Sequence, residues 1–405
     1  MSAALLRVVR AVLRLSRDAV LVMAIAVALL LVLELLYRAI APPARTMAMQ
    51  LDAAVDSSMH PYAREPWWPE YRRSSRAARR PRFDPYRTYW PKAVRTKYAN
   101  TDSAGHRLTI QPAFSPHARR VWMLGGSTMW GFTARDSSTI PSLVAGELAA
   151  RGVTDVEVVN LGQSGYNSTQ ELITMTLELA RGEAPTVAVF VNGFNDVATA
   201  LRFGSPGQTY WDAEVADRIA LGSRGFMAEL FGLGRHSRLI GRLRSAVGVG
   251  PSPVQRNEPP PDHVCGNVGR YYSRIADIAE SVARGHGFPT LYLLQPVQSA
   301  SHKPLSDWER YLARKAQDAA EPWRLAVGRC MTSIDSAMTS RGGRHFSSLA
   351  GLFDADGETV FVDDAAHLTE AANRRVAERI VDLILPYLTS GNTTALPRAA
   401  PAHPR

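Results

Sequence analysis

Val121-Trp122-Met123-Leu124-Gly125-Gly126-Ser127-Thr128 is the stretch that decides the fold. Four apolar residues run directly into a glycine pair and a serine. A short apolar run bounded by glycine reads as a buried strand. A serine in the turn behind such a strand stands at the carboxyl edge of a sheet, where open α/β sheets bind ligands. Alone, Gly-Gly-Ser-Thr suits an ordinary strand-to-helix turn equally well, so the reading depends on the motifs further along the chain.

Three more motifs come in order. They are Asn160-Leu161-Gly162-Gln163-Ser164-Gly165, Asn192-Gly193-Phe194-Asn195-Asp196 and Asp364-Ala365-Ala366-His367. Each comes just behind an apolar strand-like run. Candidate strands lie at 120–124, 156–161, 186–191, 290–294 and 359–362, rich in the β-branched and large apolar residues of strands covered on both faces. Helical patterns separate them, with end signals. Pro141 suits a first turn and Gly152 a stop. Ser168 to Glu171 reads as a capping box, with Gly182 ending that helix. Thr369 is a cap for the last helix, and Pro386 its terminator. Alternation of this kind predicts a parallel sheet between two helical layers.

The ordered set resembles the SGNH (GDSL-type) hydrolase family over roughly residues 100–386. The family's first motif usually reads Gly-Asp-Ser; here Gly126 stands where the acid would be. The resemblance implies a three-layer α/β/α fold with a flavodoxin-like, five-stranded parallel sheet. It also implies a Ser-His-Asp esterase or acyltransferase that needs no metal and no organic cofactor.

Ester hydrolysis requires a nucleophile, a base for its proton, and donors for the developing oxyanion. Ser127 is the candidate nucleophile and His367 the base. Asp364, three residues before His367, is the expected orienting carboxylate; Asp363 competes, and the family's spacing favours Asp364. The expected oxyanion donors are the backbone N–H of Ser127, the backbone N–H of Gly165 and the side-chain amide of Asn195. Taken singly, Gly165 and Asn195 would pass for turn residues.

The chain has 405 residues, 46% hydrophobic and 21% charged, enough for one sizeable globular domain with additions. Residues 19–33 are uninterruptedly apolar, and with Leu35, Leu36 and Tyr37 approach the ~20 needed to cross a bilayer. Glu34 breaks the run near one end. Arg7, Arg10, Arg14 and Arg17 precede it, so the amino terminus is expected in the cytoplasm and the remainder outside. Pro42-Pro43 after Ala39-Ile40-Ala41 disfavours signal cleavage, which favours an uncleaved signal anchor over a removed leader. Cys265 and Cys330 can oxidise in an exported chain, but their spacing leaves a disulfide open.

The expected organisation is a cytoplasmic tail at 1–18, a transmembrane anchor at 19–40, and a Pro/Arg/aromatic juxtamembrane segment at 41–100. A hydrolase domain at 101–388 comes next, carrying an insertion at 197–264 with a helical stretch around 216–243, and then a disordered tail at 389–405. A second, shorter insertion spans about 299–308. Most of the formal charge of +10 comes from 61–100, where eleven Arg and Lys face Glu65, Glu70 and Asp84 among many aromatics. The plainest reading of that segment is a mostly irregular loop wrapping the catalytic domain with solvated arginines. The functional readings are contact with anionic lipid or with an anionic polysaccharide; an exported location argues against nucleic acid.

These readings lead to an extracytoplasmic, membrane-anchored esterase that removes O-acetyl or other short acyl groups from a glycan. The alternatives are an O-acetyltransferase of a cell-surface polysaccharide, a lipase or thioesterase, and a catalytically silent glycan-binding scaffold.

Overall fold

The computed structural model describes residues 3–40, 58–182, 184–212, 215, 261–318, 325–342 and 345–389. The candidate helix at 216–243, most of the Pro-rich loop after it, and the tail from 390 lie outside these residues. The chain divides into two units, 1–50 with 213–255, and 51–212 with 256–405.

Helix α1 (Ala3–Ile40) is the described element of the first unit. Its stretch Ser16–Ala39 runs for 24 residues and contains an 18-residue window of mean hydropathy 3.0, long and apolar enough to cross a membrane by length and composition. A signal sequence passes the same test. Glu34, which breaks the apolar run, accepts from the Arg38 guanidinium one turn on, at 2.6 Å.

The second unit opens with helix α2 (Trp68–Ala78) and an antiparallel hairpin, β1 (Pro81–Asp84) and β2 (Thr88–Pro91). The expectation of a mostly irregular 61–100 is therefore corrected. The basic residues hide an amphipathic pattern whose apolar members, Tyr62, Trp68, Tyr71 and Ala78, bury against Trp130 and Val362. The Tyr71 hydroxyl donates to the Gly131 carbonyl at 2.9 Å, fixing the segment to the turn behind Ser127.

The sheet contains β3 (Arg119–Gly125), β4 (Val156–Asn160), β5 (Val187–Asn192), β6 (Thr290–Leu294) and β7 (Phe346–Ser348). Its order is β4-β3-β5-β6-β7, with every pairing parallel. Successive side chains on a strand point to opposite faces. Trp122, Leu124, Phe190 and Tyr292 thus fill one core, under α5 (Ser168–Ala180), α6 (Phe194–Phe203), α7 (Pro261–Gly285) and α9 (Val327–Ser340). Val121, Met123, Val189 and Leu293 fill the other, under α4 (Ile140–Ala150) and α10 (Glu370–Thr389). This is the three-layer, five-stranded parallel architecture expected. Cys265 in α7 and Cys330 in α9 form a disulfide.

Three local expectations are corrected. The fifth strand is Phe346–Ser348, and 359–362 is not a sheet strand. The true strand is short, sits at the edge and has two serines, so it lacks an apolar run. The apolar run at 360–361 is buried for another reason: the N–H groups of Val360 and Phe361 donate to the Glu309 carboxylate, and their side chains pack under α10. The capping box is Asn167 with Gln170, one residue earlier than expected. Ser168 and Glu171 turn inward instead, to Asp196 and Asn192. Pro386 lies inside α10, which continues to Thr389 because Leu388 buries on the same face as Ile384. Thr369 does cap this helix, accepting from the Ala372 N–H at 3.2 Å.

Candidate active site

The glycine pair bends the chain sharply out of β3. Ser127 then begins the one-turn helix α3 (Ser127–Trp130), half-exposed at the carboxyl edge. The His367 loop comes from the far end of the chain to meet it. Thr128 donates to the Ala366 carbonyl at 2.9 Å and Thr133 to the Leu368 carbonyl at 2.7 Å. Arg135 adds a two-pronged pairing with Glu370. These bonds hold the two loops in register, and His367 Nε2 lies 2.7 Å from Ser127 Oγ.

The carboxylate on His367 Nδ1 belongs to Asp363, not to the expected Asp364. Asp363 is buried, and one oxygen accepts from the Ala365 N–H at 3.1 Å and, at 3.4 Å, from the His367 N–H. Those bonds wind the loop tightly, and four residues rather than three separate acid from imidazole. Burial alone would push the Asp363 carboxyl up; the imidazole and the two N–H groups outweigh it and hold it below the usual range. Asp364 instead lines a neighbouring cavity of ≈ 280 Å³ with Phe194, Gln298, Leu305 and Leu312.

Asn195 opens α6 just behind β5, buried, and its amide donates to the Tyr166 carbonyl at 2.8 Å. That bond ties it to the loop carrying Gly165. Gly165 has φ +82°, a conformation L side chains rarely adopt, and a Cβ there would stand 3.0 Å from the Tyr89 hydroxyl. Tyr89, on the hairpin, donates to the Ser164 carbonyl. Gly126 is required differently: a Cβ there would lie 2.4 Å from the Asn195 amide nitrogen. The structure therefore brings Ser127, His367, Gly165 and Asn195 to one edge, and leaves Asp364 outside the cluster.

Several supporting residues carry no signal in the sequence motifs. Glu309, in α8 (Asp307–Asp318), holds the strand-like stretch before Asp363 and pairs with Lys303 Nζ at 2.6 Å, both side chains wholly buried. Trp308 donates to the Val362 carbonyl at 3.1 Å. His60 stacks on Trp68 and meets Trp308 edge-on, and burial lowers its imidazole to about 4 despite the opposing pull of Asp363. Behind Asn195, burial raises Asp196 to about 6 against its hydrogen bonds from Ser168, and pushes Glu171 well above the carboxylate range.

Residues 123–323 match the model of the GDSL-like Lipase/Acylhydrolase family. No curated protein matches the sequence at a significant level. Among solved structures, the chain is similar to an acetyl xylan esterase at 13% identity and TM-score 0.38, covering 65% of this chain and 99% of that one. It is similar to a catalytic mutant of an acetylxylan esterase from Geobacillus stearothermophilus at 12% identity and TM-score 0.37, covering 67% and 95%. A lipolytic G-D-S-L protein from Veillonella parvula matches at 11% identity and TM-score 0.34, covering 66% and 99%. The motif order, the parallel sheet and the matched model agree that this chain carries a GDSL-like lipase/acylhydrolase domain, of the family also called SGNH hydrolases.

Proposed function

We propose that this protein is a membrane-held serine esterase that removes O-acetyl or other short acyl groups from a glycan on the outer side of the membrane. The observation that carries the reading is the chain from Ser127 Oγ through His367 Nε2, at 2.7 Å, to Asp363 on Nδ1. A serine hydroxyl is a weak nucleophile until a neutral imidazole takes its proton. Asp363 keeps the proton of that imidazole on Nδ1, so Nε2 is free to act as base, and it stabilises the imidazolium that forms.

In the proposed reaction Ser127 Oγ attacks the ester carbonyl carbon while His367 Nε2 takes its proton. The carbonyl oxygen becomes an anion facing the N–H groups of Ser127 and Gly165 and the amide of Asn195. Each such donor is typically worth ~2.7–4 kcal/mol. The tetrahedral adduct collapses, the alcohol leaves with the proton from His367, and the acyl group stays on Ser127. Water, deprotonated by His367, then releases the acid and restores the serine.

The membrane part of the reading rests on the apolar stretch Ser16–Ala39 and on the arginines before it. An outer-face location puts surface polysaccharide within reach of Ser127. The test uses the full-length protein in detergent. Acetate release from acetylated polysaccharides and turnover of short p-nitrophenyl esters are measured, along with labelling by an organophosphonate. Labelling confined to Ser127, with turnover, supports the reading; an unlabelled, inactive protein refutes it.

A further inference from the structure

Two consecutive side chains of α6 reach across to the segment that carries Gly165. The Asn195 amide donates to the Tyr166 carbonyl at 2.8 Å. Asp196 grips Ser168: the Ser168 N–H lies 3.1 and 3.2 Å from the two carboxylate oxygens, and its hydroxyl donates to one of them. The two grips fall on either side of Asn167, the cap of α5. Ser168 and Asp196 are both buried.

The carboxylate joins two helix beginnings. The Ser168 N–H belongs to the first turn of α5, where backbone donors have no partner within the helix. Asp196 lies in the first turn of α6. Both helices favour negative charge at that end. Burial raises the Asp196 carboxyl to about 6 against its bonds from Ser168, so at pH 8 it is ionised and accepts from both groups. Asn192, at the end of β5, extends the frame inward by donating to Glu171 in α5 and accepting from Tyr272 in α7.

The proton transfers of ester hydrolysis do not call on Asp196, since Asp363 already serves His367. What the reaction does require is that the oxyanion donors stand at fixed spacing before charge develops, because preorganised donors need no rearrangement. Gly165 precedes Ser168 on one side of the contact, and Asn195 adjoins Asp196 on the other. We propose that the Asp196–Ser168 contact is the clasp that fixes the Gly165 N–H and the Asn195 amide relative to one another. Asp196 and Ser168 are thus positioning residues that act through those two donors. The inference rests on the esterase reading of Ser127 and adds the part of the fold that sets its oxyanion geometry.

The test uses the full-length protein in detergent at pH 8, a short p-nitrophenyl ester and an organophosphonate. Turnover is expressed per Ser127 labelled at completion, so that unfolded protein does not count. Ser168→Ala and Asp196→Asn should each lower kcat by about tenfold, with KM little changed, a smaller loss than deleting a donor outright. The rate constant for phosphonate labelling should fall in parallel, because the phosphonyl oxygen faces the same donors. Ser168→Thr, which keeps the hydroxyl, should recover most of kcat. The double variant Ser168→Ala/Asp196→Asn should be scarcely worse than the weaker single variant, as expected of partners in one contact. If Asp196→Asn does not fold, the two Ser168 variants decide alone. Variants that melt lower yet keep wild-type kcat and labelling rate overturn the inference and leave the esterase reading intact. A raised KM with unchanged kcat does the same. Wild type that neither turns over the ester nor is labelled overturns the esterase reading, and this inference with it.

Discussion

Gly126 and Asn195 compete for one space: a methyl group on the first would lie 2.4 Å from the amide nitrogen of the second. The family's usual acid at this position is absent, and the amide stands beside the backbone it would have occupied. The obstructing atom is the end of a side chain, so a larger residue at 126 can be accommodated by swinging Asn195 off the Tyr166 carbonyl. Gly126→Ala should leave the melting temperature within a few degrees of wild type and lower kcat by tenfold or more. Asn195→Ala should lower kcat by roughly 10²–10³ with KM little changed. Steady-state kinetics on a short ester, beside a thermal melt, check both; unchanged kcat in Asn195→Ala would make the residue a turn former only.

The two adjacent acids before His367 should differ sharply. Asp363→Asn keeps the shape but favours the wrong tautomer of the imidazole, a change that costs as much as ~10⁴-fold in serine proteases. Asp364→Asn should stay within about threefold of wild type. Ser127→Ala and His367→Ala should each abolish turnover, and the double variant should be scarcely worse, because such residues act as a unit. Full activity in Asp363→Asn together with inactivity in Asp364→Asn would reverse the assignment.

His60 makes the protein sensitive to acid. Its folded value is lowered to about 4 from an ordinary 6.5, mainly by burial. Such a group favours the folded state above 6.5, and that contribution is lost as pH falls from 6.5 through about 4. Melting temperatures of wild type should drop across this window. His60→Gln, which has no proton to gain, should show a shallower drop, whatever its stability at pH 7. Parallel curves for the two proteins would remove His60 from the account.

Glu171 has the opposite dependence. Burial comes first in raising its carboxyl, and the neighbouring Asp196 adds to it, while the Asn192 amide opposes. A carboxyl raised on folding favours the folded state at low pH, and the advantage is lost as pH climbs through the folded value. Glu171→Gln should therefore melt higher than wild type at pH 8.5 and about equally at pH 4.5. A variant no more stable than wild type at pH 8.5 would contradict this.

Glu309 and Lys303 are wholly buried and paired, and Glu309 also receives three backbone N–H groups, from Ser306, Val360 and Phe361. Removing one partner of such a pair typically costs about 3–5 kcal/mol, because the other is left charged and alone. Lys303→Met should lower stability by that order in chemical denaturation. A loss below 1 kcal/mol would show that Glu309 is held by the backbone alone.

The elements most legible in the sequence were those with a periodicity or a fixed chemical order. The strand before Ser127 is a pure apolar run closed by glycines, and His367 comes near the end of an ordered motif set. Three readings failed where two sources of burial look alike on paper. Val360 and Phe361 are as apolar as a strand, yet their N–H groups serve Glu309. Trp68 and Tyr71 lie among arginines, so the charge hid a helix. Asp363 and Asp364 are chemically identical neighbours, and only the winding of the loop by two backbone bonds decides which one turns inward. Glu309 acts across a long sequence separation, which no motif spacing records.

The bond between Cys265 and Cys330 closes a loop spanning 65 residues and joins two helices on one side of the sheet. By the entropy of loop closure, such a link disfavours the unfolded chain by about 4 kcal/mol. A crosslink of this kind endures in oxidising surroundings and is kept open in a reducing cytosol. Protein made inside the cytoplasm of a production host would therefore start without it. Its yield, its lifetime and its ability to refold after heating should depend on where it was made, even when the amino-acid sequence is identical.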